Sequence, residues 1–72
     1  MPKQYDERHG GPYDRGGADA YYERPYAPHY YEGATGATPR IEAAGMTRAQ
    51  IAAYRAGYRA QAASGVTKDW GY

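Results

Sequence analysis

The stretch Met46-Thr47-Arg48-Ala49-Gln50-Ile51-Ala52-Ala53-Tyr54-Arg55-Ala56-Gly57-Tyr58-Arg59-Ala60-Gln61-Ala62-Ala63-Ser64-Gly65 carries a start, a body and a stop for one helix. Thr47 and Gln50 match a capping box, in which the Thr47 hydroxyl accepts from the Gln50 amide and the Gln50 side chain reaches back. Met46 and Ile51 hold the flanking positions of a hydrophobic staple. The alanine-rich body has high helix propensity. Gly65 suits a left-handed C-terminal position, with Val66 after it as the apolar partner of the last turn. The spacing predicts a helix over about 48–63, roughly 24 Å long.

Three stripes run along that helix. Ile51, Tyr54, Tyr58 and Ala62 share one face, and Arg48, Arg55 and Arg59 line up beside them. Ala49, Ala53, Ala56, Gly57 and Ala60 form a small-residue face opposite. An isolated helix of this length is marginal in water, and Gly57 costs up to about 1 kcal/mol relative to Ala. Stability must therefore come from packing the Ile/Tyr stripe or the alanine face against something else. The spacing of Ala49, Ala53 and Gly57 allows close helix approach, so self-association is one such route.

The rest of the chain offers little to pack. Its 72 residues include ten Tyr but no Phe, Leu or Cys, and the branched aliphatics are Ile41, Ile51 and Val66. That is far below the roughly one-fifth Leu+Ile+Val+Phe at which disorder sets in, while each ordered residue costs about 1–2 kcal/mol of backbone entropy. Residues 1–45 hold all five prolines, the pairs Gly10-Gly11 and Gly16-Gly17, and a net charge of −2; residues 46–72 carry +3. The expectation is a mostly irregular, extended chain with one C-terminal α-helix and no independent globular core. Residues 1–45 read as a Tyr/Gly/Pro-rich extended or disordered arm, 46–65 as the capped amphipathic helix, and 66–72 as an aromatic tail.

The arm has a loose repeat of Tyr–acid pairs at Tyr5-Asp6, Tyr13-Asp14, Tyr22-Glu23 and Tyr31-Glu32, with Arg8, Arg15 and Arg24 after the first three. It is too degenerate for a solenoid. An extended arm of this length would reach about 150 Å and would present several equivalent contacts, unless biased composition alone makes the pattern.

Catalysis finds no support. Ser64 is the single serine, there is no thiol, and His9 and His29 lie in the arm, where nothing fixes their geometry. Acid–base and nucleophilic work needs groups held within hydrogen-bond reach. No metal-ligand spacing stands out, so no metal or other cofactor and no small-molecule substrate is expected. No apolar run is long enough to span a bilayer, and the helix is too poor in Leu, Phe and Trp for a membrane surface. Met1-Pro2-Lys3-Gln4 shows no secretory signal. The expected location is the cytoplasm or a virus particle.

Tyrosine and arginine are interface residues, offering large contact area and polar tips. Partner contacts are expected at Ile51, Tyr54, Tyr58, Trp70 and Tyr72, and along the arm at Tyr5, Tyr13, Tyr22, Tyr26 and Tyr31. Trp70 also reads as folding back on Tyr54 or Tyr58. The leading reading is a small structural or accessory protein of a multi-subunit assembly, bound as an extended clamp or cement peptide with a docking helix. The alternative is a nucleic-acid-binding regulator using Arg48, Arg55 and Arg59, with tyrosines stacking on unpaired bases and Arg15-Gly16-Gly17 as a single RGG unit. A second alternative is an associative Tyr/Arg low-complexity protein.

Ala53-Tyr54-Arg55-Ala56-Gly57-Tyr58, Ser64-Gly65 and Lys68-Asp69-Trp70-Gly71 resemble short uncharacterised proteins of tailed phages. The resemblance spans Met46–Gly71 and leaves out the Tyr-rich arm. It implies no activity and no catalytic residues, and it makes a minor capsid or accessory protein of a phage virion one form of the leading reading.

Overall fold

The C-terminal helix α2 spans Arg48–Ser64. Its capping box is closed: Gln50 N–H donates to Thr47 Oγ1 at 3.1 Å, and Thr47 N–H donates to Gln50 Oε1 at 2.8 Å. Gly65 ends it in the left-handed conformation, at φ 72°. The computed structural model describes residues 8–33 and 38–67.

The arm departs from expectation. Pro12–Tyr21 forms a second helix, α1, so the chain is neither mostly extended nor limited to one helix, and the described residues are ordered. Pro12 stands at the first helical turn, where its missing N–H costs nothing and its fixed φ suits the helix. Asp14, in that turn, favours the positive end of the helix dipole and accepts from Gly10 N–H at 2.9 Å. The exit is a left-handed turn on a non-glycine residue: Glu23 has φ 58°. There Glu23 N–H donates to Ala20 O at 3.1 Å and Arg24 N–H to Asp19 O at 2.7 Å, the paired bonds of a Schellman motif.

Beyond α1 the chain runs through Pro25 and Pro28 into strand β1 (His29–Tyr31), which pairs antiparallel with β2 (Arg40–Glu42). The register sets His29 opposite Glu42, Tyr30 opposite Ile41 and Tyr31 opposite Arg40. Tyr31 N–H also donates to Gly10 O at 2.7 Å, tying the ribbon to the entrance of α1. A short 3₁₀ turn, Ala43–Gly45, leads from β2 towards α2.

The two helices meet backbone to backbone. A Cβ on Gly16 would lie 2.0 Å from Tyr54 O, and one on Gly57 would lie 2.1 Å from Tyr13 O. Ala53 and Gly57 are buried in α2, so the small-residue spacing serves a contact within the chain. The interior is completed by Ala20, Tyr30 and Tyr54, together with Asp19 and His29. A radius of gyration of 12.1 Å is close to the roughly 11 Å of a folded chain of this length and far below the roughly 26 Å of an unfolded one. The expected absence of a globular core is thereby corrected. Close approach at glycines lets one large ring and a polar network fill space that aliphatic side chains usually occupy.

Candidate functional site

The interior polar groups form one connected network. Tyr54 O–H donates to Asp19 Oδ2 at 2.5 Å and accepts from Ala27 N–H at 3.2 Å. Arg15 Nε can only donate, and it meets His29 Nε2 at 3.1 Å. His29 Nε2 is therefore the acceptor, and its Nδ1–H donates to Ala27 O at 2.8 Å. The ring is a neutral Nδ1–H tautomer. Burial holds its pKa below the ordinary value, and the positive charges of Arg40 and Arg15 push the same way, against the Ala27 carbonyl and Asp19. Burial, then the bond to Asp19, push the Tyr54 phenol above its ordinary value. Two guanidinium groups approach Asp19 Oδ1, Arg24 at 3.6 Å and Arg15 at 3.8 Å. Asp19, His29 and Tyr54 are all buried, so this network serves to hold the fold together.

The outer side of α2 is built differently. Arg48, Arg55 and Arg59 are exposed, and at 100° per residue they fall within about 40° of one another around the axis. None of their guanidinium groups makes a hydrogen bond or ion pair with another described residue. The sequence of α2 contains no Asp or Glu to neutralise them.

Beside this stripe lies a groove of about 550 Å³ lined by Tyr26, Arg55, Tyr58, Arg59 and Ala62. Tyr26 comes from the extended segment after α1 and is 46% exposed. Its ring meets those of Tyr54 and Tyr58 edge-to-face, with centroids 5.3 Å away in both cases. Tyr58 O–H donates to Arg24 O at 2.8 Å, which fixes the second wall. Two other depressions differ in chemistry. One, at Tyr13, Asp14, Tyr21 and Tyr22, carries a carboxylate. The other, at Asp19, Arg24, Pro25, Ala27 and Arg40, has no aromatic wall.

The structure divides the sequence-predicted contact residues. Tyr54 is fully buried and lies beneath the groove rather than at its surface. Tyr58 and Tyr26 line the groove with Arg55 and Arg59; Arg48 lies along the same helical stripe, and Ile51 is half-buried. Tyr13 and Tyr22 line the carboxylate-bearing depression. Tyr31 belongs to β1, with the Arg15 guanidinium 5.8 Å from its ring centroid. Tyr5, Trp70 and Tyr72 lie outside the described residues, as does any packing of Trp70 on Tyr54 or Tyr58. The interior roles of Asp19 and His29 escape sequence reading because their partners are 35 and 14 residues away. The Tyr26–Tyr58 pairing is equally non-local.

Among the described residues no group of three or more His, Cys, Asp or Glu side chains is placed to hold a metal ion. No described helix is long and apolar enough to cross a membrane. No protein-family model matches the chain, and neither a curated protein nor a solved structure is detectably similar to it.

Proposed function

We propose that this protein is a non-catalytic binding module that takes the backbone of a nucleic-acid strand on the outer face of α2. The observation that carries this reading is the alignment of Arg48, Arg55 and Arg59, exposed and with no ion-pair partner among the described residues, on a helix without acidic residues. Arginine presents a planar fork of donors that matches phosphate oxygens. The whole chain has a formal net charge of only +1, so attraction comes from this local stripe rather than from the overall field. The buried titratable groups are satisfied by one another, which supports binding over catalysis.

An extended clamp laid across protein subunits required an extended arm, and α1 with the β1–β2 ribbon occupies that part of the chain. With that segment folded, the arginine stripe supports the nucleic-acid reading in preference. The test is titration of the protein against a labelled single strand at increasing salt. Three phosphate contacts, each contributing about 0.7 to the slope on a single strand, give a slope of log K against log salt of about −2. Arg48→Gln, Arg55→Gln or Arg59→Gln should each lower its magnitude by about 0.7. Salt-insensitive binding would overturn the reading. So would capture of one stoichiometric protein that survives nuclease, which would return the protein to an assembly role.

A further inference from the structure

We infer that the corner between Tyr26 and Tyr58 is a site for one unpaired nucleobase, set beside the arginines that hold the adjoining phosphates. The inference rests on the nucleic-acid reading and adds what that strand must look like. Three observations support it.

The first is shape. The Tyr26 and Tyr58 rings stand 77° apart with centroids at 5.3 Å, so together they form a near right-angled corner at the protein surface. Aromatic groups associate by offset stacking or edge-to-face contact. A flat base in this corner stacks on one ring while it meets the other edge-on. The groove volume of about 550 Å³ lies in the range of small-molecule sites and leaves room for a base together with its sugar and phosphate.

The second is charge. Arg55 and Arg59 form the rest of the lining with Ala62, and neither is neutralised by a described residue. A ligand that fits is therefore aromatic at one end and anionic at the other, as a nucleotide unit is. The depression at Asp14 has tyrosines too, but its carboxylate repels phosphate.

The third is preorganisation. Tyr58 is held by its bond to Arg24 O, and Tyr26 is packed against both Tyr54 and Tyr58. The Tyr26 hydroxyl makes no hydrogen bond with a described residue and is left to meet polar atoms of a ligand. Ordering these side chains before the ligand arrives lowers the entropic cost of binding.

The experiment compares a fluorescently labelled thymidine dodecamer with an abasic dodecamer carrying the same phosphates, by anisotropy on the full chain at one salt concentration. The thymidine strand should bind roughly tenfold more tightly, as expected for stacking of a base on an aromatic side chain. Tyr26→Ala should bring it to the abasic level, and Tyr26→Phe should keep the preference. If circular dichroism shows that Tyr26→Ala loses helix, the two-strand comparison on the unsubstituted protein decides alone. Equal affinity for the two strands with the salt slope intact overturns the base site and leaves the backbone reading standing. Absence of salt-dependent binding to either strand overturns both. Competition by polyglutamate as effective as by the thymidine strand would assign the corner to an acidic protein segment and overturn the inference.

Discussion

Gly16 and Gly57 replace side-chain packing with direct backbone contact between the two helices. A Cβ on Gly16 would fall 2.9 Å from Tyr58 N as well as 2.0 Å from Tyr54 O. One on Gly57 would fall 3.2 Å from Gly17 N as well as 2.1 Å from Tyr13 O. The neighbours at risk are backbone atoms of helices and cannot swing aside. The crossing sets the depth at which Tyr54 reaches Asp19, and through the Arg24–Pro28 segment it sets where Tyr26 lies against α2.

Gly57→Ala therefore acts against its own helix propensity. Propensity alone would stabilise α2 by up to about 1 kcal/mol, whereas a methyl group forced against a backbone carbonyl should cost about 3 kcal/mol or more. Urea denaturation followed by circular dichroism checks the sign. Ala60→Gly, at an exposed site of the same helix, should cost only about 1 kcal/mol. A neutral or stabilising Gly57→Ala would show that the helices do not touch here.

The contrast between Gly57 and Gly65 shows what was legible in the sequence. Gly65 ends a helix whose start is written four residues wide at Thr47–Gln50, so local chemistry alone locates α2. Gly16 and Gly57 are 41 positions apart, and each looks like a helix breaker until the other is known. Pro12 and Asp14 were readable as a helix start, but Gly16-Gly17 directly after them argues locally for a break. The scarcity of aliphatic residues misleads for a related reason. Asp19, His29 and Tyr54 are polar side chains that become core only when all three meet, and no spacing rule announces that meeting. The arginine stripe of α2, set by helical period alone, was legible throughout; Tyr26 as a wall of the adjoining groove was not.

Tyr54→Phe should be costly despite its conservative shape. It removes the hydroxyl that donates to buried Asp19 and accepts from Ala27 N–H, leaving two groups short of partners in one step. A hydrogen bond to a charged group contributes about 1.5–3 kcal/mol, so a loss of about 2–3 kcal/mol in urea denaturation is expected. Tyr58→Phe gives up only an exposed bond to Arg24 O and should cost about 1 kcal/mol or less. Equal costs for the two variants would contradict the network.

Glu23→Gly should stabilise the protein. Glu23 holds φ 58° at the exit of α1, a conformation that costs a residue with a Cβ about 1 kcal/mol or more and glycine little. The Glu23 side chain is exposed, and surface contacts of a carboxylate are worth less than that. A rise in stability of about 0.5–1 kcal/mol is expected by urea denaturation. Glu23→Ala, which keeps the Cβ, should show no such gain.

Acid should weaken the fold through His29. His29 is neutral, with Nε2 accepting from Arg15 and Nδ1–H donating to Ala27 O. Arg15, Arg40 and Asp19 are the charged groups that act on it. Protonation would set an Nε2–H against the Arg15 donor, and burial disfavours the charged ring first of all. The folded pKa thus lies below the ordinary value of 6.5 that the unfolded chain retains. In the window below 6.5 the unfolded chain binds more protons than the folded one, so stability is complete above 6.5 and falls as the pH drops towards the folded pKa. One proton gives a slope of at most about 1.4 kcal/mol per pH unit. Tyr54 acts at the other end: its phenol is raised above 10.0, so its contribution is complete below 10 and is lost as the pH climbs through the folded value. Urea midpoints between pH 5 and 11 should therefore show a plateau from about 6.5 to 10 with a fall on each side. His29→Gln should flatten the fall on the acid side between pH 6.5 and 5. An acid limb that persists in His29→Gln would place the responsible proton elsewhere.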